Sequence, residues 1–135
     1  MSDTNTVFLG GTCAGTTWRQ GLISFLEIPY FNPVVKDWTL GCQAREEYAK
    51  TVECNVHLYV ITKEMTGVFS IAEVVDSANT KDKVTILHII PEGFDEFQLK
   101  SLKAVVDLVR RTGGIAFMDD SLLRTAHIIN NAFKE

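Results

Sequence analysis

The residues able to do chemistry in this chain fall in a few short segments, of which EMTGVFSIAEV, Glu64 to Val74, is the most suggestive. It places Gly67, Ser70 and Glu73 just ahead of an apolar run. Ser-x-x-Glu before such a run has capping-box spacing, with Ser70 as N-cap and the Glu73 carboxylate turned back onto the Ser70 N–H. The same carboxylate has a second use if it points into a cleft. A helix N-terminus stabilises its anion, and an ionised carboxylate is what attack on an anomeric carbon requires. Local sequence favours the cap.

GGTCAGTTW, from Gly10 to Trp18, is the second such segment. Its glycines permit close backbone approach, and free N–H groups at a following helix start favour an anion. It is neither a complete G-x-G-x-x-G nor a P-loop, since no GK[ST] follows. Gly10, Gly11 and Thr12 therefore form either a ligand loop or an ordinary strand-to-helix turn. Glu46, Glu47 and Glu53 lie on or near a helical stretch, where solvated charge is the default. Asp119, Asp120 and Ser121 precede a last helix; one serves as N-cap, and another, such as Asp120, is left to face a cleft. Among the aromatics, Trp18, Tyr30, Phe31, Trp38, Tyr48 and Phe69 are mostly core, with one or two available to stack on a planar base.

Other chemistries find less support. Cys13, Cys42 and Cys54 are odd in number and match no zinc spacing, so free thiols are expected. His57, His88 and His127 form no metal-spaced pair, and structural roles are expected for them. The net charge of -4 comes without a run of like charges, which speaks against a nucleic-acid or membrane-surface partner. No apolar stretch approaches the ~20 residues of a membrane span. MSDTNTVFLGG lacks the basic start and apolar run of a signal peptide, so a cytoplasmic protein is expected.

The elements that must position these groups follow from the apolar pattern. A chain of 135 residues suits a single domain, 1-135, with a substantial core. TVFLGG, IPYFNPVV, NVHLYVIT, KVTILHII and IAFM read as strands. TTWRQGLISFL, QAREEYAKTVE, SIAEVVDSAN, DEFQLKSLKAVVDLVRRTGG and DSLLRTAHIINNAFK read as helices. Thr17 with Gln20, and Asp95 with Gln98, have capping-box spacing, and Gly113 and Gly114 stop the long helix. Continuous apolar strands suit a parallel sheet covered on both faces. The expectation is an α/β, doubly wound, Rossmann-like or flavodoxin-like fold with a five-stranded parallel sheet. Ligands in such sheets bind beyond the carboxyl ends of the strands. Gly10-Gly11-Thr12, Thr62 to Gly67, Ile90 to Glu92 and Met118 to Asp120 are expected to meet there in one cleft.

VFLGGTCAGTTWRQGL, YFNPVVKDW and LYVITKEMTGVFSIAEV, in that order, resemble the nucleoside 2-deoxyribosyltransferase-like proteins, from about Val7 to the fourth strand. The resemblance implies an N-glycosidic bond enzyme whose glutamate, at the start of the helix after the third strand, attacks the deoxyribose C1 carbon and releases the base. A second base or water then completes transfer or hydrolysis. Glu73 matches that nucleophile. Gly10, Gly11 and Thr12 match a substrate loop, with Gly67 and Ser70 beside the nucleophile and Ser70 placed for a 5′-phosphate. Glu47, or else Glu46, matches an upstream acidic residue, and Glu47 or Asp120 is a candidate to protonate the base or activate water. The chain departs from the pattern in two places. The loop TKEMTGVFSIA offers Glu64 but no Asp, and FLGGT has no Tyr. These departures fit altered base handling, or a non-catalytic binding module for a nucleotide or NAD-derived ligand. The implied partner is a small nucleoside or nucleotide, with no metal and no cofactor needed. A homo-oligomer completing the site across an interface is also implied.

Overall fold

The computed structural model describes residues 5–13, 15–35 and 39–132. Trp38, one of the aromatics considered above, lies outside them. Five strands, β1 (Val7–Gly11), β2 (Tyr30–Phe31), β3 (Val56–Ile61), β4 (Val84–Ile89) and β5 (Ile115–Met118), make one all-parallel sheet in the order β2-β1-β3-β4-β5. The helices are α1 (Trp18–Ile23), α2 (Leu40–Tyr48), α3 (Phe69–Ala78), α4 (Glu96–Arg111) and α5 (Leu123–Asn131). The expected doubly wound α/β fold is therefore present, with flavodoxin-like strand order.

Side-chain alternation along the strands sorts the core into two layers. Val7, Leu9, Leu58, Val60 and Ile86 meet Leu22 of α1 and Ile129 of α5 on one face. Phe8, Tyr59, Ile61, Leu87 and Ile89 meet Val74 of α3 and Val106 of α4 on the other. β3 is fully buried along its length, which accounts for its unbroken apolar reading.

The two histidines in the sheet are structural, as expected. A carbonyl can only accept, so the His57 Nε2–H donates to Lys50 O (2.7 Å), and Nδ1 accepts from the Ser77 hydroxyl (2.8 Å). The Ser77 oxygen then accepts a hydrogen bond from the Thr85 hydroxyl at 2.6 Å. His88 likewise donates to Asp119 O and accepts from Thr125. Burial pulls both imidazoles down, His57 to about 4. The sign of the consequence is definite. Between pH 6.5 and 4 the unfolded chain takes a proton at His57 that the folded chain refuses, so stability is full above this window and is lost as pH falls through it. Urea unfolding at pH 5 should give a ΔG lower than at pH 7 by about 2 kcal/mol from His57 alone. His57→Gln should flatten that slope.

Several helix ends differ from the sequence reading. α4 keeps both expected ends. Asp95 and Gln98 make the reciprocal capping box, and the N–H groups of Gly113 and Gly114 return to the carbonyls of Arg110 and Val109. Thr17 makes no side-chain cap. Ser70 and Glu73 make none either: α3 starts at Phe69 after Val68, so Ser70 is its second residue and Glu73 its fifth, two positions beyond the place from which a capping-box carboxylate reaches back. α2 runs on into a π-helical turn, Ala49–Glu53, closed by Cys54 N–H to Ala49 O at 2.8 Å. β2 is reduced to two residues between Pro29 and Pro33, as two prolines in so short a run require.

Candidate functional site

The strand order reverses between β1 and β3, and a cleft of about 410 Å³ opens beside their carboxyl ends. Doubly wound sheets bind ligands at this reversal because the connections leave it on opposite faces and part there. Gly10, Gly11 and Thr12 line one wall. Thr66, Gly67, Phe69, Ser70 and Glu73 line the other, and Glu46 of α2 closes a side.

The first wall is held rigidly from below. Gly11 has φ 112°, and a Cβ there would overlap the Val60 carbonyl of β3. A Cβ on Gly10 would meet the Tyr59 ring at 2.7 Å. Both glycines are thus demanded by the approach of β1 to β3. The Thr12 hydroxyl accepts from Thr62 N–H (3.0 Å) and so ties the two strands together.

Arg19 is the residue the sequence reading missed here. It is buried, stacks over Trp18 at 4.3 Å, and donates Nε to Leu9 O (2.9 Å), Nη1 to Thr12 O (2.8 Å) and Nη2 to Gly11 O (3.3 Å). Nothing in its local pattern marks it, because an Arg in a first helical turn is ordinarily solvated. Arg19→Met would strip these carbonyls of a charged donor and cost about 3–5 kcal/mol. Arg19→Lys should recover little, since an ammonium cannot match the planar fork. Denaturant titration of both variants measures this.

Glu73 is not a cap. Its side chain is 12% exposed, and Oε2 accepts from Lys50 Nζ at 2.8 Å. Oε1 takes no hydrogen bond from another described residue. The lysine, 16% exposed, comes from the π-helical turn and also lies 3.5 Å from Glu47 Oε1. Glu46 is half-buried, and burial, with Glu73 next, raises its carboxyl above the usual range. The Tyr59 hydroxyl is buried and without a hydrogen-bond partner among the described residues. Burial first, then Glu73, pushes it upward.

The expected site residues are not all brought together. Gly10, Gly11, Thr12, Gly67, Ser70 and Glu73 converge on the cleft. Glu47 is 59% exposed and does not line the cleft, and its neighbour Glu46 lines it instead. Asp120 lies outside it as well. β5 is the far edge of the sheet, two positions from β3, and Asp120 there accepts from Glu92 N–H at 3.3 Å. The four strand ends therefore do not form one cleft; those of β4 and β5 pair with each other. Glu64 is engaged by the Thr62 hydroxyl at 2.7 Å. Of the aromatics, Trp18 is core, Phe31 stacks on Phe8, and Phe69 stands exposed at the cleft.

Among the described residues no three His, Cys, Asp or Glu side chains gather to hold a metal ion, and no helix is long and apolar enough to cross a membrane. Among the described residues, Cys13, Cys42 and Cys54 form no disulfide.

The family model described as nucleoside 2-deoxyribosyltransferase like matches residues 4–92, more than half of the chain. The chain belongs to that family. The match spans β1 through β4 and so takes in both walls of the cleft, Glu46, Lys50 and Glu73. Membership supports a nucleoside-related, transferase-type activity for this deoxyribosyltransferase-like protein. No curated protein and no solved structure matches the chain.

Proposed function

We propose that this protein breaks the N-glycosidic bond of a nucleoside or nucleoside 5′-monophosphate, by transfer or hydrolysis, with Glu73 as nucleophile. The observation that carries the reading is the Glu73 carboxylate in the cleft, gripped by Lys50 through Oε2 alone and so with Oε1 left for the sugar.

The chemistry balances with groups present. Glu73 Oε1 bonds to the sugar C1 carbon as the C1–N bond breaks. That bond's electron pair goes to the base nitrogen, which takes a proton from the Glu46 carboxyl. Burial, which favours the protonated form of Glu46, suits it to this role better than the solvated Glu47. In the second step water or a second base attacks C1 and gives its proton to the Glu46 carboxylate. The C1–Oε1 bond breaks and Glu73 is restored. Positive charge building on the sugar is stabilised by the Glu73 anion. Backbone at Gly10, Gly11 and Gly67 admits the substrate closely, and Ser70 offers a hydroxyl to its 5′ end. Phe69 supplies an apolar ring for the base.

The test is release of free base from a panel of nucleosides and their 5′-monophosphates. Release by the wild-type protein supports the reading. Calorimetric binding of a nucleotide or NAD-derived ligand without any release would replace it with a binding module, a reading that the missing Asp and the engaged Glu64 favour. A homo-oligomer belongs to the same proposal. The apolar groove between α3 and α4, lined by Ile71, Val75, Leu102 and Val105 beside the exposed Val68 and Phe97, supports it.

A further inference from the structure

The π-helical turn Ala49–Glu53 releases backbone carbonyls from the ordinary helical pattern, and side chains take them up. His57 Nε2–H donates to Lys50 O at 2.7 Å. Lys83 Nζ donates to Thr51 O at 2.9 Å and to Cys54 O at 2.7 Å. Such turns, wider than an α-helical turn, persist where surrounding contacts over-determine them.

These contacts tie Lys50 to α3 at two points. Its carbonyl is joined through His57 to the Ser77 hydroxyl. Its ammonium is joined directly to Glu73. Glu73 and Ser77 are four residues apart, so they share one face of α3. One lysine thus grips that face by its backbone and by its side-chain tip. Its ammonium also lies 5.9 Å from the centroid of the Phe8 ring, and Glu47 is its second carboxylate neighbour.

We propose that Lys50, locked in the π-helical turn by His57 and Lys83, is the positioning residue for Glu73, and that Glu47 is the standby partner of its ammonium. This rests on the nucleophile reading of Glu73. While Glu73 is anionic, the ammonium holds Oε2 and leaves Oε1 to the sugar. When the C1–Oε1 bond forms, the electron pair of the C1–N bond leaves with the base and Glu73 becomes a neutral ester. The ammonium then keeps Glu47 as its ion partner and stays charged through the intermediate. When C1–Oε1 breaks again, the Glu73 anion recovers the ammonium. Glu47, solvated and outside the cleft, acquires a role without touching substrate.

The test compares base-release kinetics and thermal melting for Lys50→Met, Lys50→Arg, Glu47→Gln, Lys83→Met and Glu73→Gln. Lys50→Met should lower kcat by about 10²-fold with KM within about threefold, since misplacing a reacting atom by about 1 Å costs that much. Lys50→Arg should recover part of the rate. Glu47→Gln should lower kcat less than Lys50→Met does. Lys83→Met loosens the turn from the side remote from the cleft and should lower kcat with KM unchanged; it carries the test if Lys50→Met does not fold. A purely structural lysine would change melting but not the kcat-to-KM split. A crystal structure of Lys50→Met provides a readout independent of turnover. Displacement of the Glu73 carboxylate supports the proposal, and an unmoved carboxylate overturns it. Wild-type kcat in both Lys50→Met and Lys83→Met, with Glu73→Gln inactive, overturns the positioning role alone. Full activity in Glu73→Gln, or no base release by the wild type, overturns the nucleophile reading and this proposal with it.

Discussion

Glu73→Gln should reduce base release by at least about 10³-fold, the scale seen when a nucleophile is removed from a site whose binding groups remain. An amide oxygen still accepts from Lys50 Nζ, so the contact at 2.8 Å persists while the attacking anion is lost. The stability cost should therefore stay at about 1–2 kcal/mol, well below what an unpaired buried charge would cost. Glu47, 3.5 Å from the ammonium, limits it further. Intact-mass analysis gives a second readout: a glycosyl adduct on the wild type and none on the variant. The cap reading predicts something different, little change in stability and none in chemistry, because a Gln can take the Glu place in a capping box. The start of α3 at Phe69 already removes Glu73 from capping reach.

Gly11→Ala should be the most damaging single methyl addition in the cleft wall. The residue sits at φ 112°, where an L side chain is strained, and its Cβ would overlap the backbone of Val60 in the central strand. β3 cannot yield without loosening its pairing with β1 and the Thr12 N–H to Val60 O bond of 2.9 Å. The loss should be about 3 kcal/mol or more, a large part of the about 5–15 kcal/mol that folds a domain. A melting temperature lower by about 10 °C or more is the expected reading. Gly67→Ala is the matched control. Nothing lies within 4 Å of its added Cβ, so melting should hardly move while KM for a nucleoside rises. The pair separates a glycine required by the fold from one that leaves room for a ligand.

Local signals reported the fold well where they were self-contained. Largely apolar runs in β3 and β4, without polar alternation, required burial on both faces, and that forced helices onto each side of the sheet. α4 carried its start and stop within its own sequence. The Ser70–Glu73 and Thr17–Gln20 spacings carried the same signal and failed. A capping box describes four residues and cannot report that α3 begins earlier, with Val68 as its N-cap, or that Thr17, although it is the N-cap of α1, makes no side-chain bond there. The resemblance of the first ninety or so residues found the family correctly, and with it the wall containing Glu73.

The sequence by itself determined the α/β class, the parallel sheet, the family, and the two glycine-bearing walls that meet at the end of β1 and β3. Those follow from period, composition and order along the chain, all of which act locally. Only the tertiary structure decided what each polar group faces. Strand order carried Asp120 to the far edge. One helical position separates the half-buried Glu46 from the solvated Glu47. Arg19 was turned inward by carbonyls at the end of β1. Lys50 met a carboxylate 23 residues away because a π-helical turn and a buried histidine hold it there. Long polar side chains pair by reach and burial, and neither is written in the residues beside them.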